Sequence, residues 1–71
     1  MEHWRSYLRG RMLEAFGFKP QAIEAYGEAA RAKPEFVAPQ NRIAYLLASQ
    51  GRFKEAEPHF EAVLRIEPGN A

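Results

Sequence analysis

Apolar positions along the chain recur at three- and four-residue spacing and fall into four segments. In the first, running from Met1 to Phe16, Trp4, Leu8, Met12, Leu13, Ala15 and Phe16 come round to one side, the periodicity of an amphipathic helix. Gly17 follows the last apolar turn and is the expected stop, because glycine takes a positive φ without a Cβ clash. Pro20 opens a second helix, to Lys33, with Ala22, Ile23, Tyr26, Ala29 and Ala30 inward; the first turn tolerates proline because its N–H has no intrahelical partner there. Pro34 closes that helix. A third runs from Phe36 to Gln50, with Pro39 in its first turn, Ile43, Ala44, Leu46 and Leu47 as its apolar side and Gly51 as its stop. The fourth spans Phe53 to Glu67 and ends at Pro68-Gly69-Asn70. Pro58 conflicts with the carbonyl of Lys54, so the first turn of this helix is expected to be distorted or to start late. No strand pattern, linker or low-complexity stretch is present, and the fold class is all-α.

The four segments are two copies of one plan. Gly17, Ala22, Tyr26 and Pro34 stand 34 residues ahead of Gly51, Ala56, Phe60 and Pro68. A fixed period of this size signals a helical array whose units cannot bury their apolar faces alone. An alanine lets two antiparallel helices approach, an aromatic one turn later fills the groove beside it, and a proline stops the second helix. Ala22-x3-Tyr26 and Ala56-x3-Phe60, each followed by its proline, together with Gln50-Gly51-Arg52-Phe53 and Glu55-Ala56-Glu57-Pro58, resemble the tetratricopeptide repeat. The resemblance covers about residues 3–70 and implies a single domain, residues 1–71, of two helix-turn-helix repeats, about 3–36 and 37–70. The first copy departs from the pattern twice. Phe18 follows Gly17 directly, so its turn is expected to differ from the second. Arg9 stands where the second copy has Ile43, and Leu8 serves the core only if the helix rotates slightly. Gly10 fits the small residue expected at a close helix crossing, with Ala44 its counterpart.

Composition narrows the picture by exclusion. Seventy-one residues make one small domain, near the size where a single core is marginal, and about three repeats are ordinarily needed for independent stability. The chain has no Cys, so neither a disulfide framework nor a Cys-based zinc site is available. A net charge of +1 implies no nucleic-acid, membrane or acidic partner through the overall field. No apolar run is long enough to span a bilayer and no secretory leader is evident, so a cytoplasmic address is expected.

The fourth helix carries the functional expectation. Phe60, Val63, Leu64 and Ile66 spread over more of its circumference than one helix contact covers. Leaving about two of them in water forgoes on the order of 3–6 kcal/mol, comparable with the whole stability of a small domain. No fifth helix follows within the sequence, so this edge is expected to be covered by another chain, a second copy of this one, or further repeats of a longer array.

The resemblance also implies a concave groove along the first helix of each repeat that takes a peptide or a partner's helix. Carried over position by position, it points to Trp4, Tyr7, Arg11 and Glu14 in the first copy, and to Asn41, Arg42, Tyr45 and Ser49 in the second. Aromatics and arginines are common binding anchors. The paired lysines and asparagines of the carboxylate-gripping members are lacking, since no lysine lies on these helices, and no carboxylate clamp is expected.

Other chemistry has little to build on. Arg5, Arg9 and Arg11 with Trp4 and Tyr7 suggest a basic helix for nucleic-acid phosphates, but the cations do not share one face and Glu2 and Glu14 flank them. His59 and Glu55 have the spacing of two metal ligands on a helix, yet the only other histidine is His3, and a surface His–Glu pair is the expectation. No Asp exists, which removes any Asp-dependent triad, and Gly10, Gly17 and Gly27 are too dispersed for a phosphate loop. The sequence reads as a protein–protein interaction module, not an enzyme, with no cofactor and no metal. Self-association runs through Phe60, Val63, Leu64 and Ile66. A small nucleic-acid binder and a structural subunit of a larger complex are the alternatives.

Overall fold

Gly17 and Gly51 carry φ of +84° and +76°, and each folds one helix back along the next. The computed structural model describes residues 2–67. Four helices follow one another, α1 (Glu2–Ala15), α2 (Lys19–Ala32), α3 (Val37–Ser49) and α4 (Phe53–Ile66), with no strand among the described residues. Each packs chiefly on its neighbours in sequence, so α2 lies between α1 and α3, and α3 lies between α2 and α4. The expected stop at Pro68-Gly69-Asn70 lies outside the described residues; α4 closes at Ile66, with Glu67 N–H bonded to Val63 O at 2.8 Å.

The two hairpin turns are the same turn. Phe18 N–H donates to Leu13 O at 2.9 Å and Gly17 N–H to Glu14 O at 3.0 Å, while Arg52 N–H donates to Leu47 O and Gly51 N–H to Ala48 O at the same two distances. This pairing satisfies the carbonyls that a helix end leaves open, and it needs one residue in the left-handed region, which glycine supplies at no steric cost. The difference expected from the shifted phenylalanine therefore does not occur. Glycine and the backbone ladder fix the turn, and Phe18 and Arg52 take the same N-cap position ahead of α2 and α4. Pro58 also behaves better than expected. α4 begins on time at Phe53, and Ala56 N–H closes its first turn on Arg52 O at 3.0 Å. The carbonyl that Pro58 deprives of a donor belongs to exposed Lys54, where water can take the donor's place.

Alanines bring the helices together. Ala22, Ala25, Ala29 and Ala30 are buried on α2, and Tyr26, Ile43, Leu46, Leu47 and Ala56 join Ala22 in the central cluster, with Leu13, Ile23, Tyr7 and Ala48 packed against it. Ala25 and Pro39 are core residues that periodicity alone did not mark. α1 corrects the sequence reading most. Trp4, Leu8, Met12, Ala15 and Phe16 are exposed, Leu13 is half-buried, and Gly10 is the buried residue of this helix. The helix does not rotate to bring Leu8 inward, because α1 meets α2 through the side that carries Gly10 and Leu13, and no described helix lies on its outer side. Gly10 is pressed against the Tyr26 ring: a Cβ there would come within 2.7 Å of two ring carbons. Ala44, its counterpart on α3, is fully buried.

Candidate functional site

The groove residues named from sequence divide into those that hold the helices together and those left free. Glu14, near the end of α1, binds two other helices. It accepts a hydrogen bond from Tyr26 Oη of α2 at 2.7 Å and one from Arg42 Nε of α3 at 3.2 Å, while Arg42 Nη2 engages its second oxygen. Burial works against the charged carboxylate, but the bonds from Arg42 and Tyr26 outweigh it and hold Glu14 below its ordinary value. The same bond raises Arg42, and burial with the bond donated to Glu14 pushes the Tyr26 phenol above its usual range. Arg42 also lies over the ring of Tyr45, 5.0 Å from its centre. Arg42 and Glu14 thus serve as struts across α1 and α3, with their charges already matched.

An aromatic cluster holds the other end of the same surface. Phe36, the N-cap residue of α3, lies within 5.0–5.4 Å of the rings of His3, Trp4 and Tyr7, and Tyr7 contacts Tyr26 at 5.6 Å. Tilted and edge-on rings at these separations attract beyond their buried area. Sequence reasoning counted Phe36 as an ordinary helix residue; its proximity to Trp4 and Tyr7 is a tertiary fact across about 30 residues of chain and leaves no periodic signal.

What remains open on the α1 and α3 side is a mixed apolar and cationic surface. Trp4 is 49% exposed and Tyr45 57%, and Arg11 and Asn41 are exposed, their side chains making no hydrogen bond to a described residue. Leu8, exposed one turn from Trp4 and Arg11, belongs to this surface, although its spacing first placed it toward the core. Ser49 is occupied locally, its Oγ donating to Leu46 O at 2.7 Å.

The second surface is the outer side of α4. Phe60 and Leu64 are 45% and 50% exposed, whereas Tyr26 and Ala30, 34 residues earlier on α2, are 0% and 8% exposed under the cover of α1 and α3. Val63 and Ile66 are half-buried, and Phe53 is also exposed on this helix.

The residues considered for other chemistry are placed elsewhere. His59 does not pair with Glu55. Its Nδ1 is 2.6 Å from Gln40 Oε1 on α3, so Nδ1–H donates, and burial lowers its pKa. Glu55 instead receives both arms of Arg52, at 2.7 and 2.8 Å. Arg9 is bound to Glu28 at 2.8 Å, and Arg11, two positions on, falls on a different side of α1 from Arg5 and Arg9. No group of three or more metal-ligating side chains is found among the described residues, and no helix among them is long and apolar enough to cross a membrane.

Residues 38–70 match the family model described as tetratricopeptide repeat. No curated protein and no solved structure matches the chain.

Proposed function

With residues 38–70 a tetratricopeptide repeat, a unit that generally mediates contacts between proteins, we propose that this chain is a non-enzymatic protein-interaction module. It takes a peptide or helix of a partner protein along the α1 and α3 side and associates with other copies through the outer side of α4, acting as an oligomeric scaffold in the cytoplasm. The observation that carries the reading is the half-exposed pair Trp4 and Tyr45, held in place by Phe36 and Arg42 and flanked by Leu8 and Arg11. Rigid, amphipathic aromatics beside an arginine make contact area at low entropic cost, the composition of interface hot spots. Glu14 and Arg42 neutralise each other, so Arg11 gives this surface its charge preference, for a partner carrying a carboxylate.

Trp4 is the chain's single tryptophan and reports directly on this surface. Peptides selected from a random displayed library on the folded protein should shift Trp4 emission, and Tyr45→Ala should weaken them by at least about tenfold. Selected peptides that bind Tyr45→Ala as well as the parent, or leave Trp4 emission unchanged, would remove the groove from the proposal. The nucleic-acid alternative gains no support from geometry, because Arg9 is engaged by Glu28 and the arginines of α1 form no single patch.

A further inference from the structure

We propose that copies of this chain stack head to tail, the outer edge of α1 in one copy covering the outer edge of α4 in the next as α3 covers α2 within the chain. This rests on the reading that the α4 edge self-associates, and it supplies the surface that edge meets.

The internal junction is the template. On α3 the covering edge is Pro39, Ile43 and Leu46, all buried; the positions 34 residues earlier on α1 are Arg5, Arg9 and Met12, all exposed, and Phe16 continues the same stripe one turn on. On α2 the covered edge is Ile23, Tyr26 and Ala30, half-buried or buried; the positions 34 residues later on α4 are Glu57, Phe60 and Leu64, all exposed, in line with exposed Phe53. Both edges therefore keep apolar groups where the junction buries them, Met12 on α1 and Phe60 and Leu64 on α4, with exposed Phe16 and Phe53 in line beyond them.

The changes between template and edges are complementary in charge. Where the junction packs Ile23 into the cluster that contains Ile43, the two edges carry Glu57 and Arg9. Where α3 has Pro39, α1 has Arg5. Glu57 and Glu61 on α4 and Arg5 on α1 make no ion pair with any described residue, and Arg9 uses one guanidinium nitrogen on Glu28 with others to spare. Glu57 and Glu61 on one edge and Arg5 and Arg9 on the other are opposite in charge, so the two edges attract. A two-fold contact of α4 on α4 would leave Met12 and Phe16 on the outer edge of α1 uncovered, which disfavours the symmetric alternative. A head-to-tail contact is heterologous, so it grows into rings or filaments and does not close at a dimer.

The test is sedimentation velocity of the 71-residue chain and two edge variants, Met12→Glu on α1 and Leu64→Glu on α4. Both sites are solvent-exposed, and far-ultraviolet circular dichroism checks each fold; Met12→Gln and Leu64→Gln replace any variant that melts. The parent is expected to grow past dimer with concentration and to dissociate in high salt. Each variant alone is expected to be monomeric, and an equimolar mixture to form a dimer and stop there, since one intact edge of each remains. Glu57→Arg is expected to weaken the parent's association by about tenfold, and Arg9→Glu in the same chain to recover most of it. If Met12→Glu associates as well as the parent, head-to-tail stacking is wrong while self-association through α4 stands. A parent that stays monomeric to about 1 mM overturns both.

Discussion

Gly10 and Gly27 lie on neighbouring helices, and replacing each with alanine should move stability in opposite directions. Both are helical, so alanine removes the excess backbone entropy of glycine and gains about 0.5–1 kcal/mol at either position. At Gly27 nothing opposes this: the nearest outside atom to a new Cβ is Arg31 Nη1 at 3.6 Å, the mobile end of a long side chain. At Gly10 the new methyl would sit 2.7 Å from the Tyr26 Cδ1 and Cε1 atoms and 3.1 Å from Cγ. That ring cannot swing aside. It is fully buried and its hydroxyl is tied to Glu14 at 2.7 Å. Overpacking of this kind costs about 1–3 kcal/mol, which leaves Gly10→Ala destabilised by about 0–2 kcal/mol after the propensity gain. The two variants should differ by about 1–3 kcal/mol, or several degrees to about 20 °C in Tm for a domain of this size. Thermal melts and urea titrations of parent, Gly10→Ala and Gly27→Ala at one protein concentration measure it directly. Equal stabilisation by both substitutions would refute the close crossing of α1 and α2 at Gly10.

Glu14→Gln should lower stability at pH 7 by about 1–2 kcal/mol, toward the lower part of the range for charged hydrogen bonds because Arg42 is more than a third exposed. The folded pKa of Glu14 lies below its ordinary 4.5, so its contribution is complete above that value and is lost as pH falls through the folded one; Glu14→Gln should flatten the acid limb of a stability–pH curve. His59 has its pKa lowered by burial from the ordinary 6.5, so the folded state disfavours the proton and stability should fall as pH drops through and below that ordinary value. His59→Gln should reduce that fall, and an unchanged slope would show that the ring is not shielded by α3. Phe36→Ala should cost about 1–3 kcal/mol and move Trp4 emission to the red, as the aromatic cluster loses its central ring.

Much of the architecture was legible because it is repetitive and local. The spacing of Gly17 and Gly51 located both hairpin turns, and the ends of the helices fall within one or two residues of those read from periodicity. The small residue at Gly10 was legible as well, since close crossings exclude Cβ atoms. Legibility failed where a neighbour decided the outcome. Trp4, Leu8, Met12 and Phe16 form an apolar stripe of the kind that is ordinarily buried, yet all four are exposed, although Trp4 meets the ring of Phe36. Ala25 and Pro39 are buried by helix proximity, without an apolar period of their own to mark them. In the candidate site, Arg42 and Glu14 were both legible as members of the α1 and α3 surface. Their bond to each other was not, because side chains 28 residues apart meet only through the geometry of three packed helices. Phe36 was missed for the same reason.

The neighbour-on-neighbour packing of the helices has a kinetic meaning. Each helix finds its principal partners one helix away along the chain, so the loops that must close during folding are short and their entropy cost is small. Such local topologies fold in microseconds to milliseconds. They also open from the ends inward: α1 and α4 each have one principal neighbour and α2 and α3 have two, so amide exchange should be slowest at the α2–α3 junction and fastest on the two outer helices. Those outer helices are the ones that stacking would bury, so their exchange should slow as the protein is concentrated, while the rates at the centre change least.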